Sequence, residues 1–155
     1  MRRPRETIEI PDSDLVLQIT DDLSRTLVFR DSRVAYHSAS GAAAETHHVY
    51  LRNSGVIARL EHGSPTAILE IGLGTALGML MTVDRALQTG ASLTYEVIEN
   101  RVLPASLIAM LELDRQLQQD GLLASFLAWR ESLGPEVSVG THRWAVANNC
   151  SVVLR

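Results

Sequence analysis

Cysteine is nearly absent from this 155-residue chain, with Cys150 standing alone. One thiol excludes an internal disulfide and a thiolate zinc cluster, and its place in a strand-like run marks it as a buried, inert side chain. Long apolar runs are also missing. No stretch approaches the ~18 residues of a membrane span, and the start, Met1-Arg2-Arg3-Pro4-Arg5-Glu6, lacks the apolar core of a signal peptide. A cytoplasmic protein with no membrane partner is expected. Positive charge is not in excess either: the formal net charge is -4, so any RNA contact needs a local basic patch. Arg2, Arg3 and Arg5 could touch phosphate, although such a terminus is usually a solvated tail. There is no internal repeat, low-complexity segment or interdomain linker. What is present is 46% hydrophobic residues in a chain about one domain long, enough to bury roughly two-thirds of its unfolded surface.

The most informative segment is Ala67-Ile68-Leu69-Glu70-Ile71-Gly72-Leu73-Gly74-Thr75-Ala76-Leu77-Gly78, an apolar strand running into a glycine loop that opens a helix. Gly72 and Gly74 let the backbone turn sharply and approach a ligand, and a helix starting at Thr75 offers free N–H groups to it. A nucleotide-like cofactor is implied. The third glycine of a dinucleotide fingerprint would fall at Leu77, and Glu70 would set a negative charge beside a pyrophosphate, which disfavours a nicotinamide-dependent oxidoreductase. S-adenosylmethionine fits better, because it has no phosphate and carries an ammonium and a sulfonium that a carboxylate and loop backbone can hold. Glu99, at the end of the next strand (Leu93 to Ile98), suits a ribose diol. The ordinary alternatives are that Glu70 caps its own loop and that Glu99 is a solvated strand end.

The remaining sequence frames this unit. Leu15 to Ile19 and Thr26 to Phe29 read as a small β-hairpin around a polar turn. Helices are predicted from Gly41 through Leu51 and from Gly55 to Leu60, then from Thr75 to Gln88, from Pro104 until Gly121, and from Leu122 to Leu133. Arg143 to Ala147 and Cys150 to Leu154, around Asn148-Asn149, form a second hairpin. Strand, helix, strand, helix from Thr66 onward predicts an α/β fold with a parallel sheet. The expected organisation is an N-terminal hairpin and helical extension over residues 1-65 and a cofactor-binding unit over residues 66-155. His37, His47 and His48 invite a metal reading, but His47 and His48 point to different helix faces and no second ligand pair has suitable spacing, so no metal is expected. Trp129 and Trp144 read as core rather than base-stacking residues.

Taken together, Thr20-Asp21 with Ser24, Thr26 and Leu27, then Tyr36-His37-Ser38, Gly41, Glu45 and Val49-Tyr50-Leu51, then Leu69 through Thr75, resemble the MnmC-like methyltransferases in order and spacing. Ile98-Glu99-Asn100 and Gly140-Thr141-His142-Arg143 extend the resemblance over nearly the whole chain. It implies a Rossmann-like, S-adenosylmethionine-dependent domain that methylates the aminomethyl group on the wobble uridine of certain tRNAs, in some members fused to an FAD-dependent oxidoreductase. It also implies Tyr36 and Glu45 as walls of the cofactor pocket, against the plainer readings of core packing and a helix-surface charge. Family members usually carry glycine and asparagine where this chain has Ala76 and Gly78. The family's Gly-Asp segment that contacts adenine, and its Asp-Gly-Phe loop and Asn-Pro pair that form the acceptor site, do not occur before Arg155. The expectation is therefore the N-terminal half of such a domain, with the edge of the Ala67 to Ile71 strand open and prone to self-association. The rival reading is a non-catalytic remnant that binds a nucleoside or a partner chain and transfers nothing.

Overall fold

The computed structural model describes residues 5–155; Arg2 and Arg3 lie outside the described residues. Arg5 is not a solvated arm. Its guanidinium holds the Asp21 carboxylate in two hydrogen bonds, from Nε at 2.8 Å and from Nη2 at 2.9 Å.

The N-terminal part is a three-stranded antiparallel sheet, β1 (Thr7–Glu9), β2 (Leu15–Ile19) and β3 (Arg25–Phe29), in that order. The expected hairpin is β2 and β3. The added strand β1 is short and fully exposed, so no buried alternation announced it. Leu15, Leu17 and Leu27 carry this sheet into the common core.

The β2–β3 turn also starts the next helix. Asp22 Oδ1 accepts hydrogen bonds from the Thr20 hydroxyl (2.6 Å) and the Ser24 N–H (3.0 Å), while Oδ2 accepts the Ala44 N–H at 2.9 Å. The Ser24 hydroxyl accepts the Ala43 N–H at 3.1 Å. Helix α1 (Ala42–Glu45) is thus capped from another element, and a Cβ at its N-cap, Gly41, would sit 2.5 Å from Asp22 Oδ2. Burial pushes the Asp22 carboxyl up, but the bonds from Ser24, Thr20 and the Ala44 N–H outweigh it and hold the group below its usual range.

The helix predicted through Leu51 is α-helical for one turn only and continues as a π-helix over Thr46–Arg52, in which the Asn53 N–H reaches back to the His48 carbonyl at 3.1 Å. Alanine-rich composition sets helix propensity but not hydrogen-bond register. Helix α2 (Val56–Glu61) follows as expected.

The second sheet joins β4 (Thr66–Ile71), β5 (Leu93–Ile98), β7 (Cys150–Leu154) and β6 (His142–Ala147) in the order β4-β5-β7-β6. The first three are parallel and β6 runs antiparallel to β7. Ile68, Tyr95, Val152 and Trp144 are register partners in one row, on the face covered by α3 (Leu77–Thr89) and α5 (Leu122–Ser132). Phe126 and Trp129 of α5 pack on Trp144 at ring distances of 5.3 and 6.0 Å; Trp144 is in the core as expected, and Trp129 is partly buried against it. Cys150 is buried and its thiol is pushed up to about 11 by desolvation, in keeping with an inert side chain. On the opposite face Leu69 and Ile71 are 61% and 72% exposed, and no strand among the described residues pairs the far edge of β4. The expected open edge is there.

One predicted helix is broken. From Pro104 to Gly121 the chain forms only α4 (Ala105–Ala109) and a 3-10 turn over Leu113–Gln116, with Glu112 at φ 48° between them. Arg25 reaches this kink, donating to the Met110 carbonyl (2.8 Å) and pairing with Glu112 (2.7 Å). The buried Asp84 of α3 then takes the N–H groups of Gln118 and Gln119 on one oxygen, at 2.9 and 2.8 Å. These partners come from 34 and more residues away, so local apolar spacing could not register them.

Candidate functional site

Alternation along β4 decides where Glu70 points. Thr66, Ile68 and Glu70 face α3, while Ala67, Leu69 and Ile71 face outward. Past Glu70, Gly72 (φ +87°) and Gly74 (φ +54°) adopt left-handed conformations that favour glycine, and the loop delivers the chain into α3 at Leu77. Thr75 is not the first helical residue. It is 1% exposed, with its hydroxyl unpartnered among the described residues, and Ala76 occupies the N-cap in a left-handed conformation.

Glu70 fronts a cavity of about 420 Å³ lined also by Tyr36, His37, Thr46, Tyr50, Gly72, Gly74, Gly78 and Tyr95. The other wall of this cavity comes from the N-terminal extension. The Tyr36 ring stacks on Phe29 at 5.8 Å and lies against Gly74, where a Cβ would meet its Cδ1 at 3.3 Å. The π-helix contributes Thr46, Tyr50 and Leu51. Inside α3, Gly78 makes room for the carboxylate, since a Cβ there would lie 3.3 Å from Glu70 Oε1.

The electrostatics of this cavity are set by burial. Desolvation pushes the Glu70 carboxyl up to about 7; the Tyr95 hydroxyl pulls it down and the charge of Glu99 pushes it further up. Desolvation also raises the Tyr95 phenol, and it lowers His37, which shares a 3.2 Å hydrogen bond between Nδ1 and the Thr26 hydroxyl. Glu70 Oε2 and the Thr46 hydroxyl are buried without a hydrogen-bond partner among the described residues. Both belong to cavity-lining residues, and such atoms are costly to bury alone.

Glu99 sits on the other side of the glycine loop. One of its oxygens accepts the Gly74 N–H at 3.2 Å and the other accepts the Arg101 N–H at 2.8 Å, which ties the loop to the end of β5. Glu99 borders a second cavity, of about 540 Å³, at the C-terminal ends of β5 and β7, lined by residues that include Asn100, Val102, Val137, Ser138 and Leu154. The buried Arg130 braces its rim, donating to the carbonyls of Leu103 (2.8 Å) and Gly134 (2.7 Å).

Of the residues singled out in the sequence, Tyr36, Glu70, Gly72 and Gly74 meet at the first cavity, and Glu99 reaches the same loop from the second. Thr75 lies behind the loop. Glu45 lies outside both linings and accepts the Ser38 N–H at 2.7 Å, bracing the segment next to Tyr36 and His37. Sequence reasoning passed over Tyr95, Thr46, Tyr50 and Gly78 as site residues. Tyr95 was accessible from the alternation of β5, which puts it on the same face as Glu70. Thr46 and Tyr50 had no sequence signal, because their placement follows from the π-helical register.

No family model matches the chain. Over 65 residues it is 38% identical to the tRNA 5-methylaminomethyl-2-thiouridine biosynthesis bifunctional protein MnmC of Burkholderia mallei (strain SAVP1), and equally to that of Burkholderia pseudomallei (strain 668). Each match spans 37% of this chain and 10% of the relative. In fold, the chain is similar to the crystal structure of MNMC2 from Aquifex aeolicus, with a TM-score of 0.59 and 17% identity over 94% of this chain and 44% of that one. The likeness in fold runs along nearly the whole of this chain, while the likeness in sequence to the MnmC proteins is confined to 65 residues and a tenth of their length.

Proposed function

We propose that this chain is the cofactor-binding part of an S-adenosylmethionine-dependent methyltransferase that acts on the aminomethyl group of a tRNA wobble uridine. The observation that carries the reading is Glu70: a largely buried carboxylate with an unpartnered oxygen, facing a cavity floored by the glycine loop. A ligand ammonium supplies what that oxygen lacks, and a pyrophosphate would oppose it. Glu70 would hold the amino group of the cofactor, Gly72 and Gly74 would let its backbone-facing side approach the loop, and Glu99 would take the ribose hydroxyls with its remaining acceptor capacity. The second cavity offers space for the base beyond Glu99. When bound, S-adenosylmethionine supplies an electrophilic methyl group on sulfur.

The chain's own contribution is positioning. Tyr36 and the π-helix wall one side of the cavity, while the Gly74–Glu99 hydrogen bond fixes the loop relative to β5. The tRNA substrate enters this reading from the Burkholderia relatives, tRNA 5-methylaminomethyl-2-thiouridine biosynthesis proteins that this chain matches over a tenth of their length.

Calorimetric titration with S-adenosylmethionine, with NAD as control, tests the reading. Micromolar binding of the former alone is expected, and Glu99→Ala should weaken it by about tenfold or more, the loss of hydrogen bonds to a charged group. Binding of NAD, or of neither compound, would refute it.

A further inference from the structure

Thr46 stands out among the threonines of the helical segments. Thr82 and Thr89 of α3 donate their hydroxyls back to carbonyls one turn earlier, at 2.7 and 3.1 Å, as buried helical threonines usually do. Thr46, at the start of the π-helix and 1% exposed, does not; its Oγ1 has no partner among the described residues. Glu70 Oε2, in the same cavity wall, is also without one, so these two oxygens do not satisfy each other. Both side chains converge on Gly78, where a Cβ would lie 3.3 Å from Glu70 Oε1 and 3.8 Å from Thr46 Cγ2. Two unpartnered oxygens on side chains that line one cavity and meet beside a residue without a side chain leave acceptors for a group with several N–H donors and no acceptor.

We propose that Thr46 is a positioning residue for the cofactor: its hydroxyl oxygen and Glu70 Oε2 together accept hydrogen bonds from the α-ammonium of S-adenosylmethionine. Resting on the reading of the cavity given above, this assigns part of ligand selection to the N-terminal extension, which closes over the glycine loop and selects ligands by their amino group.

The test uses the chain with Thr46→Val, which keeps the shape and removes the hydroxyl, and Thr46→Ser, which keeps the hydroxyl. Each is titrated with S-adenosylmethionine, with its decarboxylated form, which retains an ammonium, and with 5′-methylthioadenosine, which has none. Thr46→Val is expected to weaken the two ammonium-bearing ligands about tenfold or more and to leave 5′-methylthioadenosine within about twofold, with Thr46→Ser near the parent. Without ligand, Thr46→Val should melt at the parental temperature or a few degrees higher, since an unpartnered buried hydroxyl has been removed. Equal weakening of all three ligands would mark Thr46 as merely structural, and parental affinity for all three would show that it makes no contact; either result overturns the proposal alone. A parent chain that binds none of the three overturns the reading of the cavity and this proposal with it.

Discussion

Glu70→Gln should stabilise the ligand-free chain at pH 8 and leave it nearly unchanged at pH 4.5. The unfolded chain ionises this carboxyl through about 4.5, whereas burial keeps the folded chain protonated up to about 7. Between those values the folded state binds more protons than the unfolded one, so stability falls as pH rises from about 4.5 to about 7 and is level beyond. This direction is opposite to that of a salt-bridged carboxylate. The gap corresponds to roughly 3 kcal/mol once Glu70 is ionised, and glutamine, of nearly the same shape, carries no such penalty. For a domain of this length the melting temperature of the variant should exceed that of the parent by roughly 6 to 12 °C at pH 8. Thermal melts followed by circular dichroism at half-unit steps from pH 4.5 to 8 provide the assay, and subtracting the two curves cancels every other titrating group. A difference that stays flat across the range would refute the reasoning, because it would mean that Glu70 is solvated and ionises normally. An ammonium bound against Glu70 favours the charged form. Binding below pH 7 should therefore release up to one proton, seen as a buffer-dependent heat, and the release should vanish in Glu70→Gln.

Gly78→Ala should separate stability from binding. In a helix interior the change ordinarily stabilises by roughly 0.5–1 kcal/mol, but here the new Cβ lies 3.3 Å from Glu70 Oε1 and narrows the cavity between Glu70 and Thr46. A melting temperature at or above the parental value, with S-adenosylmethionine affinity reduced by about tenfold or more, is the expected pair of results; parental affinity would show that Gly78 faces no ligand. We further expect the open face and edge of β4 to drive self-association, since Leu69 and Ile71 are exposed there. The double variant Leu69→Lys, Ile71→Lys should elute as a monomer in gel filtration under conditions where the parent forms larger species. A monomeric parent at the same concentration would count against this.

Local pattern determined much of this protein. The alternation in Leu93 to Ile98 placed one strand, because burial on one face imposes a period of two, and the short apolar runs Leu15 to Ile19 and Cys150 to Leu154 placed two more, buried on both faces for most of their length. Gly72 and Gly74 marked the loop because only glycine enters left-handed backbone freely, and an acid at the end of each of the first two parallel strands marked the chemistry of the site.

Tertiary structure decided the rest, and each instance has a partner distant in sequence. The Pro104 helix is cut short by Arg25 and Asp84, β1 exists only because β2 offers it an edge, and α1 is capped by Asp22 and Ser24 from a turn about twenty residues earlier. Glu70 was legible as a site residue, but its raised ionisation was not, since that depends on how deeply α3, Tyr95 and the N-terminal extension bury it. Thr46 was invisible in the sequence for the same reason. A threonine in an alanine-rich helix ordinarily satisfies its hydroxyl on the preceding turn, and only the π-helical register and the packing of that helix over Gly78 leave this one free to meet a ligand.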